Sequence, residues 1–245
     1  MKAVILVGGK GLRLQPLTCN VAKAMVPILN RPLIEHLLHY LKKHGIRDVI
    51  LAMGYNPDPI RSYLGDGTQL GVRITYLVED SPLGTAGAVK NAESLLEKGE
   101  PILGYPSKSY WIDIGRPEKY LKVHHDLLFR WNNAAVRIGE DSQIHPAAEI
   151  EGPTLIGKEC AVSAGARVKG PTVLGQRCKV GEGALVQGAV LWHDSRVGKE
   201  AVLRNCVAAS HAWLQQGCHV IEGCVVGDNA TVEEGSVIWP DNHTE

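Results

Sequence analysis

The second half of the sequence repeats with a period of six residues, and this repeat constrains the fold more than any other feature. A large aliphatic side chain occupies every sixth position from Ile144 to Val186, and Trp192 continues the series. Chance does not produce an unbroken series of this length. The series resumes after a shift of one residue, and again after a second shift: Val197, Leu203 and Ala209, then Leu214, Val220, Val226, Val232 and Ile238.

A smaller side chain follows most of these positions after four residues. This second set consists of Ala148, Thr154, Cys160, Ala166, Thr172, Cys178, Ala184, Ala201, Cys218, Cys224, Ala230 and Ser236. One large and one small inward side chain in each hexad is what the corners of a tight triangular coil require. The segment 151–156 recurs as 169–174, eighteen residues later, so three hexads make one coil. We therefore predict a solenoid of stacked coils.

The first half of the sequence predicts alternating strands and helices. Its continuous aliphatic runs are typical of strands that are buried on both faces of a parallel sheet. Its first helix is indicated by apolar residues on one face: Leu33, Leu37, Leu38 and Leu41. The predicted order is strand 3–7, helix 31–45, strand 48–53, helix 57–64 and strand 72–78. This βαβαβ order predicts the beginning of a doubly wound, Rossmann-like α/β domain.

A third helix connects the two halves. It is predicted from Pro117 to Trp131, with an apolar side formed by Tyr120, Val123, Leu127 and Leu128. We therefore divide the chain into an α/β domain at 1–116, a connecting helix at 117–136 and an all-β solenoid at 137–245.

The charge composition excludes several classes of partner. Lys plus Arg and Asp plus Glu both number 26, so neither a nucleic acid nor an anionic membrane is expected to bind. The N-terminal apolar run of residues 3–7 is too short for a signal-peptide core, which favours a cytoplasmic protein. The six cysteines are therefore expected to be reduced, and they lack the CxxC spacing of a zinc site.

A glycine-rich loop follows the first predicted strand. Its sequence is Gly8-Gly9-Lys10-Gly11-Leu12-Arg13. Glycines allow backbone N–H groups to approach a phosphate closely, and the two cations can neutralise a pyrophosphate. The spacing matches neither the dinucleotide-binding fingerprint nor the P-loop. The loop alone therefore indicates phosphate binding without naming the ligand.

Longer motifs carry a resemblance to a known family. The stretch Met1–Glu35, including Lys23-Ala24-Met25-Val26-Pro27, resembles the signature of the sugar-nucleotide pyrophosphorylases, particularly the mannose-1-phosphate guanylyltransferases. The segments 82–87 and 110–117 resemble two further motifs of that family. The repeats after residue 140 resemble the hexapeptide-repeat family, whose fold is a left-handed parallel β-helix. A β-helix after the catalytic domain is a known arrangement in the first family.

The resemblance implies a reaction and a set of site residues. In that family a sugar 1-phosphate attacks the α-phosphorus of a nucleoside triphosphate, and pyrophosphate leaves. GTP is the favoured nucleotide, and Mg²⁺ is the implied cofactor. The implied residues are Gly8, Gly9, Gly11, Arg13, Gly84 and Thr85 for nucleotide binding, Arg13 and Lys23 for catalysis, and Asp113 for the metal.

One departure from the family concerns the middle of the catalytic domain. The chain passes from Glu100 to Gly104 where the family has a long central segment, so we predict an internal truncation near 101–104. That segment carries a second metal-binding aspartate and the walls of the sugar pocket. We expect its absence to weaken or remove turnover, because a single carboxylate binds Mg²⁺ poorly.

Two other functions remain open from the sequence. The chain would be a non-catalytic, nucleotide-binding regulatory or assembly subunit if turnover has been lost. Some β-helix proteins are acyltransferases with a histidine between the coils, but no long loop projects here to shape an acyl-donor site. His145, His193, His211 and His219 are instead predicted as surface turn residues. In each case we expect a homo-oligomer that associates through the β-helix.

Overall fold

The computed structural model describes residues 1–54, 57–79, 83–96, 110–131 and 134–240. The chain divides into two compact units. The first unit comprises Met1–Leu12, Thr18–Val26 and Arg31–Trp111, and the second comprises Arg13–Leu17, Pro27–Asn30 and Ile112–Glu245. The domain limits at 116 and 136 stay predictions. The truncation predicted near 101–104 lies outside the described residues.

The first part of the chain alternates strands and helices, as predicted. In chain order the elements are β1 (Lys2–Leu6), β2 (Pro27–Ile28), β3 (Arg31–Pro32), α1 (Leu33–Lys43), β4 (Asp48–Met53), α2 (Pro57–Leu64), β5 (Arg73–Val78), α3 (Gly84–Asn91) and α4 (Pro117–Trp131). Short 3₁₀ turns lie at Leu12–Leu14, Lys23–Met25, Thr68–Leu70 and Ala92–Leu95.

Among the described residues, the sheet of the first unit has three parallel strands in the order β1-β4-β5. The first strand was predicted to be buried on both faces, but β1 lies at the edge of this described sheet and none of its five residues is buried. Strand β4 is central, and Val49 to Met53 are all buried. Helix α1 packs Ile34 and Leu38 into a core cluster that also contains Val49, Leu51 and Met53 of β4. Leu37 was predicted on this face but is 39 % exposed. Leu37 follows Ile34 at i+3 spacing but is turned by about 100° from Leu38, so it lies at the edge of the apolar stripe and remains partly in contact with solvent.

The second half of the chain is a parallel β-solenoid. Three parallel sheets of six strands each form its faces. The strands are β6 (Val136–Ile138), β7 (Gln143–Ile144), β8 (Glu149–Glu151), β9 (Thr154–Ile156), β10 (Ala161–Val162), β11 (Arg167–Lys169), β12 (Thr172–Leu174), β13 (Lys179–Val180), β14 (Leu185–Gln187), β15 (Val190–Leu191), β16 (Arg196–Val197), β17 (Val202–Arg204), β18 (Val207–Ala208), β19 (Trp213–Leu214), β20 (His219–Val220), β21 (Val225–Val226), β22 (Thr231–Val232) and β23 (Val237–Ile238). The prediction of a coiled, repetitive fold is thereby confirmed.

The interior of the solenoid corrects two positions of the predicted repeat. Strand pairing aligns Leu174 with Leu191, and Leu191 with Ala208. Leu191 and Ala208 belong to the buried core cluster, so they are the inward residues, and Trp192 and Ala209 are not. The series was predicted to shift by one residue after Trp192 and after Ala209. It shifts instead before Leu191 and before Ala208, because the shortened turns precede β15 and β18.

Trp192 instead anchors helix α4 within the second unit. Its ring is 3 % exposed, and its Nε1–H donates a hydrogen bond to the hydroxyl of Tyr120, 2.8 Å away. The Tyr120 hydroxyl in turn donates to the carbonyl oxygen of Pro27 at 2.5 Å. Burial raises the pKa of Tyr120. The outward Trp192 thus holds a helix against the coils.

No helix within the described ranges combines the length and the apolar character needed to cross a membrane.

Candidate functional site

The glycine loop begins where β1 ends, and its first glycine lies against another backbone segment. The Val7 N–H still donates to the carbonyl of Ala52, at 2.8 Å, so the sheet continues to the start of the loop. A Cβ atom on Gly8 would lie 3.2 Å from the backbone nitrogen of Gly54, which follows β4. Gly8 and Gly54 therefore allow the ends of two adjacent parallel strands to approach closely. Gly54 was not predicted, because its role depends on a contact between distant segments.

Gly11 turns the loop and lies against two later residues. Its φ is +67°, a conformation that favours glycine. A Cβ here would lie 3.1 Å from Cγ2 of Thr18 and 3.3 Å from Cβ of Lys23. The hydroxyl of Thr18 donates to the carbonyl oxygen of Gly11 at 2.8 Å, and Thr18 is only 2 % exposed. The predicted residues Gly11 and Lys23 are thus neighbours, and Thr18 is a supporting residue that the sequence argument missed.

Gly9 lies between these two glycines and faces open space. A Cβ on Gly9 would meet no other atom within 4 Å, and Gly9 is exposed. Lys10 beside it is also exposed. This part of the loop is therefore accessible to a ligand, and it carries a cation.

Arg13 and Asp113 form an ion pair within the second unit. One guanidinium nitrogen of Arg13 lies 3.9 Å from Oδ2 of Asp113. The side chains are 69 % and 48 % exposed, so water screens the pair strongly. Both groups remain accessible to an anion or a cation from solution. The structure thus brings together a predicted phosphate-binding residue and the predicted metal ligand.

Gly84 and Thr85 form the first turn of helix α3, and both are exposed. The Leu83 N–H just before them donates to Oε2 of Glu79, at 3.2 Å, at the end of β5. Helix N-termini attract anions because their first N–H groups lack intrahelical partners. Glu79 already satisfies one such group. A helix start is therefore what the structure describes here, and the nucleotide-binding role of Gly84 and Thr85 stays a prediction.

The predicted magnesium ligand has few neighbours of the right kind. Within the described part of the chain, no group of three or more His, Cys, Asp or Glu side chains includes Asp113. Mg²⁺ commonly takes one or two carboxylates and completes its shell with water and substrate phosphates. Asp113 can supply one carboxylate, which binds Mg²⁺ poorly by itself, so the phosphates of a nucleotide would have to supply other ligands.

The four histidines considered at the sequence level are all exposed. The cysteines at 160, 178, 218 and 224 are buried in the solenoid core, as their inward positions predict. Packing therefore explains these thiols.

Two family models match separate parts of the chain. Residues 2–105 match the family described as nucleotidyl transferase. Residues 134–238 match the LbH domain of EIF2B subunit epsilon, a left-handed β-helix. The predicted resemblance is confirmed in both halves: a nucleotidyl transferase domain precedes a left-handed β-helix.

Three curated relatives each match part of the chain. A mannose-1-phosphate guanyltransferase of Debaryomyces hansenii is 46 % identical over 101 residues, which cover 41 % of this chain and 28 % of the relative. A mannose-1-phosphate guanylyltransferase of Mycobacterium tuberculosis is 45 % identical over 94 residues, which cover 38 % of this chain and 26 % of the relative. Mannose-1-phosphate guanyltransferase 2 of Candida glabrata is 37 % identical over 154 residues, which cover 52 % of this chain and 42 % of the relative. The chain therefore spans less than half the length of these relatives.

Proposed function

We propose that this chain, a nucleotidyl transferase domain joined to a left-handed β-helix, binds a nucleoside triphosphate and transfers its nucleoside monophosphate to a sugar 1-phosphate, releasing pyrophosphate. GTP and mannose 1-phosphate are the favoured substrates, because the similar proteins named above are mannose-1-phosphate guanylyltransferases. The observation that carries the proposal is the loop of Gly8, Gly9 and Gly11, which lies at the carboxyl end of β1 beside Lys23. Ligands of open α/β sheets bind outside the carboxyl ends of the strands.

Phosphoryl transfer of this kind depends on positioning and on neutralisation of charge. A triphosphate and a sugar phosphate repel each other, so cations and N–H groups must hold them in line. Exposed backbone at Gly9 can approach phosphate oxygens closely. We assign Lys23 to the reacting phosphates and Arg13 to the leaving pyrophosphate. Both assignments follow the family resemblance, and both side chains carry the charge that the task requires.

Mg²⁺ is the proposed cofactor. When bound, it would neutralise negative charge on the phosphates. Asp113 would supply one carboxylate ligand. The 3.9 Å separation between Asp113 and the Arg13 guanidinium keeps that carboxylate near a group that itself attracts phosphate. This proximity is compatible with a cation held jointly by Asp113 and by a nucleotide.

A second candidate function is a non-catalytic assembly subunit that binds a nucleotide. Two observations favour it. The chain covers only 26 % to 42 % of the relatives named above, which agrees with the predicted loss of the sugar pocket. The C-terminal match is to a domain of a protein described as a subunit. A homo-oligomer formed through the β-helix and a cytoplasmic location belong to both candidates.

The experiment that separates the two candidates measures pyrophosphate release with GTP, mannose 1-phosphate and Mg²⁺. Lys23→Ala removes the proposed phosphate contact, and Lys43→Ala removes an exposed lysine at the end of α1 as a matched control. Turnover that is lost in Lys23→Ala and kept in Lys43→Ala supports the enzyme. GTP binding without turnover supports the assembly subunit. A chain with neither property contradicts both.

A further inference from the structure

Three potential metal ligands converge at one corner of the β-helix. His193, Asp194 and His211 each offer one ligand atom, and these atoms lie within 4.8 Å of one another. Across the described ranges, this is the one group of three or more His, Cys, Asp or Glu side chains with that property. We propose that these three residues bind a divalent transition-metal ion, and Zn²⁺ is the ion that we expect. The site is separate from the residues assigned to nucleotidyl transfer.

The stacking of the coils places the three residues together. His193 and Asp194 lie in the turn between β15 and β16, and His211 lies in the turn between β18 and β19. The His211 N–H donates to the carbonyl oxygen of His193 at 3.1 Å, so the two turns lie directly on each other. Asp194 and His211 occupy equivalent positions, with φ of 62° and 58°. The regular solenoid thus fixes the backbone beneath all three side chains.

The distances suit adjacent ligands of one ion. His193 Nδ1 lies 2.8 Å from Oδ2 of Asp194. This is a hydrogen-bond distance, and two ligands of a tetrahedral ion at about 2.0 Å are separated by about 3.3 Å, so a shift of about 0.5 Å would admit the ion between them. The ring of His211 lies 5.1 Å from that of His193, centroid to centroid, at an interplanar angle of 88°. A nitrogen of the second ring therefore completes the set without steric conflict between the rings.

Neighbouring residues hold two of the ligands in place. The Nε2 atom of His193 lies 2.9 Å from the hydroxyl of Ser210, which is 4 % exposed. Arg177 holds the Asp194 carboxylate through two hydrogen bonds, from Nε to Oδ1 at 2.8 Å and from Nη2 to Oδ2 at 2.7 Å. Metal-binding histidines typically have a hydrogen-bonded partner on the other ring nitrogen. Ser210 occupies that position for His193.

The donor set selects the class of metal. Two imidazoles and one carboxylate suit zinc and similar transition metals, whereas Mg²⁺ and Ca²⁺ prefer oxygen ligands alone. Three protein ligands also leave a coordination position for water or another small ligand. The ion would replace the hydrogen bond between His193 Nδ1 and Asp194 Oδ2, while both hydrogen bonds from Arg177 to the carboxylate remain. The side chains of His193 and Asp194 are 49 % and 24 % exposed, so an ion can enter from solution.

The test measures Zn²⁺ binding by the full, untagged chain after treatment with a chelator, using isothermal titration calorimetry. We expect one high-affinity Zn²⁺ per chain and no comparable binding of Mg²⁺. His193→Ala and His211→Ala should each lower the Zn²⁺ affinity at least about tenfold. His219→Ala removes an exposed histidine elsewhere on the coils and should leave the affinity unchanged.

Thermal unfolding guards against loss of binding through misfolding. Because a bound ligand stabilises the folded state, Zn²⁺ should raise the Tm of the wild-type chain and of His219→Ala. The double variant of His193 and His211 should unfold at the wild-type temperature in chelator and show no rise with Zn²⁺. Equal Zn²⁺ affinity in the double variant and the wild type, or no high-affinity Zn²⁺ in the wild type, would overturn the proposal.

Discussion

The guanidinium of Arg13 lies 3.9 Å from the carboxylate of Asp113, although the two residues are far apart in the sequence. Both side chains are largely exposed, so the pair contributes little to folding. We propose that its position serves function, because the sequence resemblance implies that Arg13 binds pyrophosphate and that Asp113 binds the metal. The first prediction separates a role of Arg13 in nucleotide binding from a role in folding.

Arg13→Ala should weaken GTP binding by about tenfold or more, because a charge-assisted hydrogen bond to phosphate is worth roughly 1.5–3 kcal/mol. The free energy of unfolding should change by less than about 1 kcal/mol. Affinity measured by calorimetry and stability measured by denaturant titration check both statements. Arg47→Ala, an exposed arginine after α1, is the control. An unchanged GTP affinity in Arg13→Ala would remove Arg13 from the site.

The glycine loop offers a matched pair of substitutions. Gly11→Ala should destabilise the first unit by about 1–2 kcal/mol, since it places a Cβ at φ +67° and 3.1 Å from Thr18. Gly9→Ala meets no atom within 4 Å and should leave stability unchanged within about 0.5 kcal/mol. Gly9→Ala should still weaken GTP binding, because the added methyl group lies where a phosphate would approach. If Gly9 were only part of a turn, its substitution would alter neither property.

Tyr120→Phe should destabilise the second unit by about 1–3 kcal/mol. The substitution removes one hydroxyl, which leaves the buried Trp192 Nε1–H and the partly buried Pro27 carbonyl without that partner. Denaturant titration followed by tryptophan fluorescence measures the change. Tyr40→Phe, at a position that is 57 % exposed, provides the comparison and should have little effect. A loss of equal size in both variants would show that the buried hydrogen bonds are not the cause.

The six thiols should divide sharply in reactivity. Cys19 is exposed and the other five are buried in the solenoid. Burial raises the pKa of Cys218 to about 11 and also raises that of Cys206. Because the thiolate is the reactive form, a raised pKa lowers reactivity at neutral pH. A chromogenic disulfide reagent should therefore titrate one thiol in the native chain, none in Cys19→Ser and six after denaturation. Rapid reaction of several thiols in the native chain would contradict the described packing.

The sequence predicted the solenoid well because its geometry imposes one strict period on the side chains. It misplaced the inward residues at two coils, because two turns are one residue shorter and the aromatic Trp192 continued the apparent series. Leu191 pairs with Leu174 and takes the interior position. The available signal of the first shortened turn was Gly188-Ala189, which stands where the two preceding coils have Gly-Pro-Thr.

The sequence also predicted a loop of glycines and cations after the first strand, because these residues form a local pattern. Phosphate binding by this loop stays a prediction. It could not predict the supporting contacts, which depend on tertiary structure. Thr18 bonds to Gly11, Gly54 lies against Gly8, and Glu79 accepts a hydrogen bond before α3. The cluster of His193, Asp194 and His211 was missed for the same reason, since His193 and His211 meet only when the coils stack.

The central claim is that the loop after β1 holds the triphosphate of a nucleotide. Calorimetric titration of the purified chain with GTP, with and without Mg²⁺, tests it most directly. We predict saturable binding that is lost in Lys23→Ala and retained in Lys43→Ala. No detectable binding of any nucleoside triphosphate by the folded chain, with or without Mg²⁺, would contradict the claim.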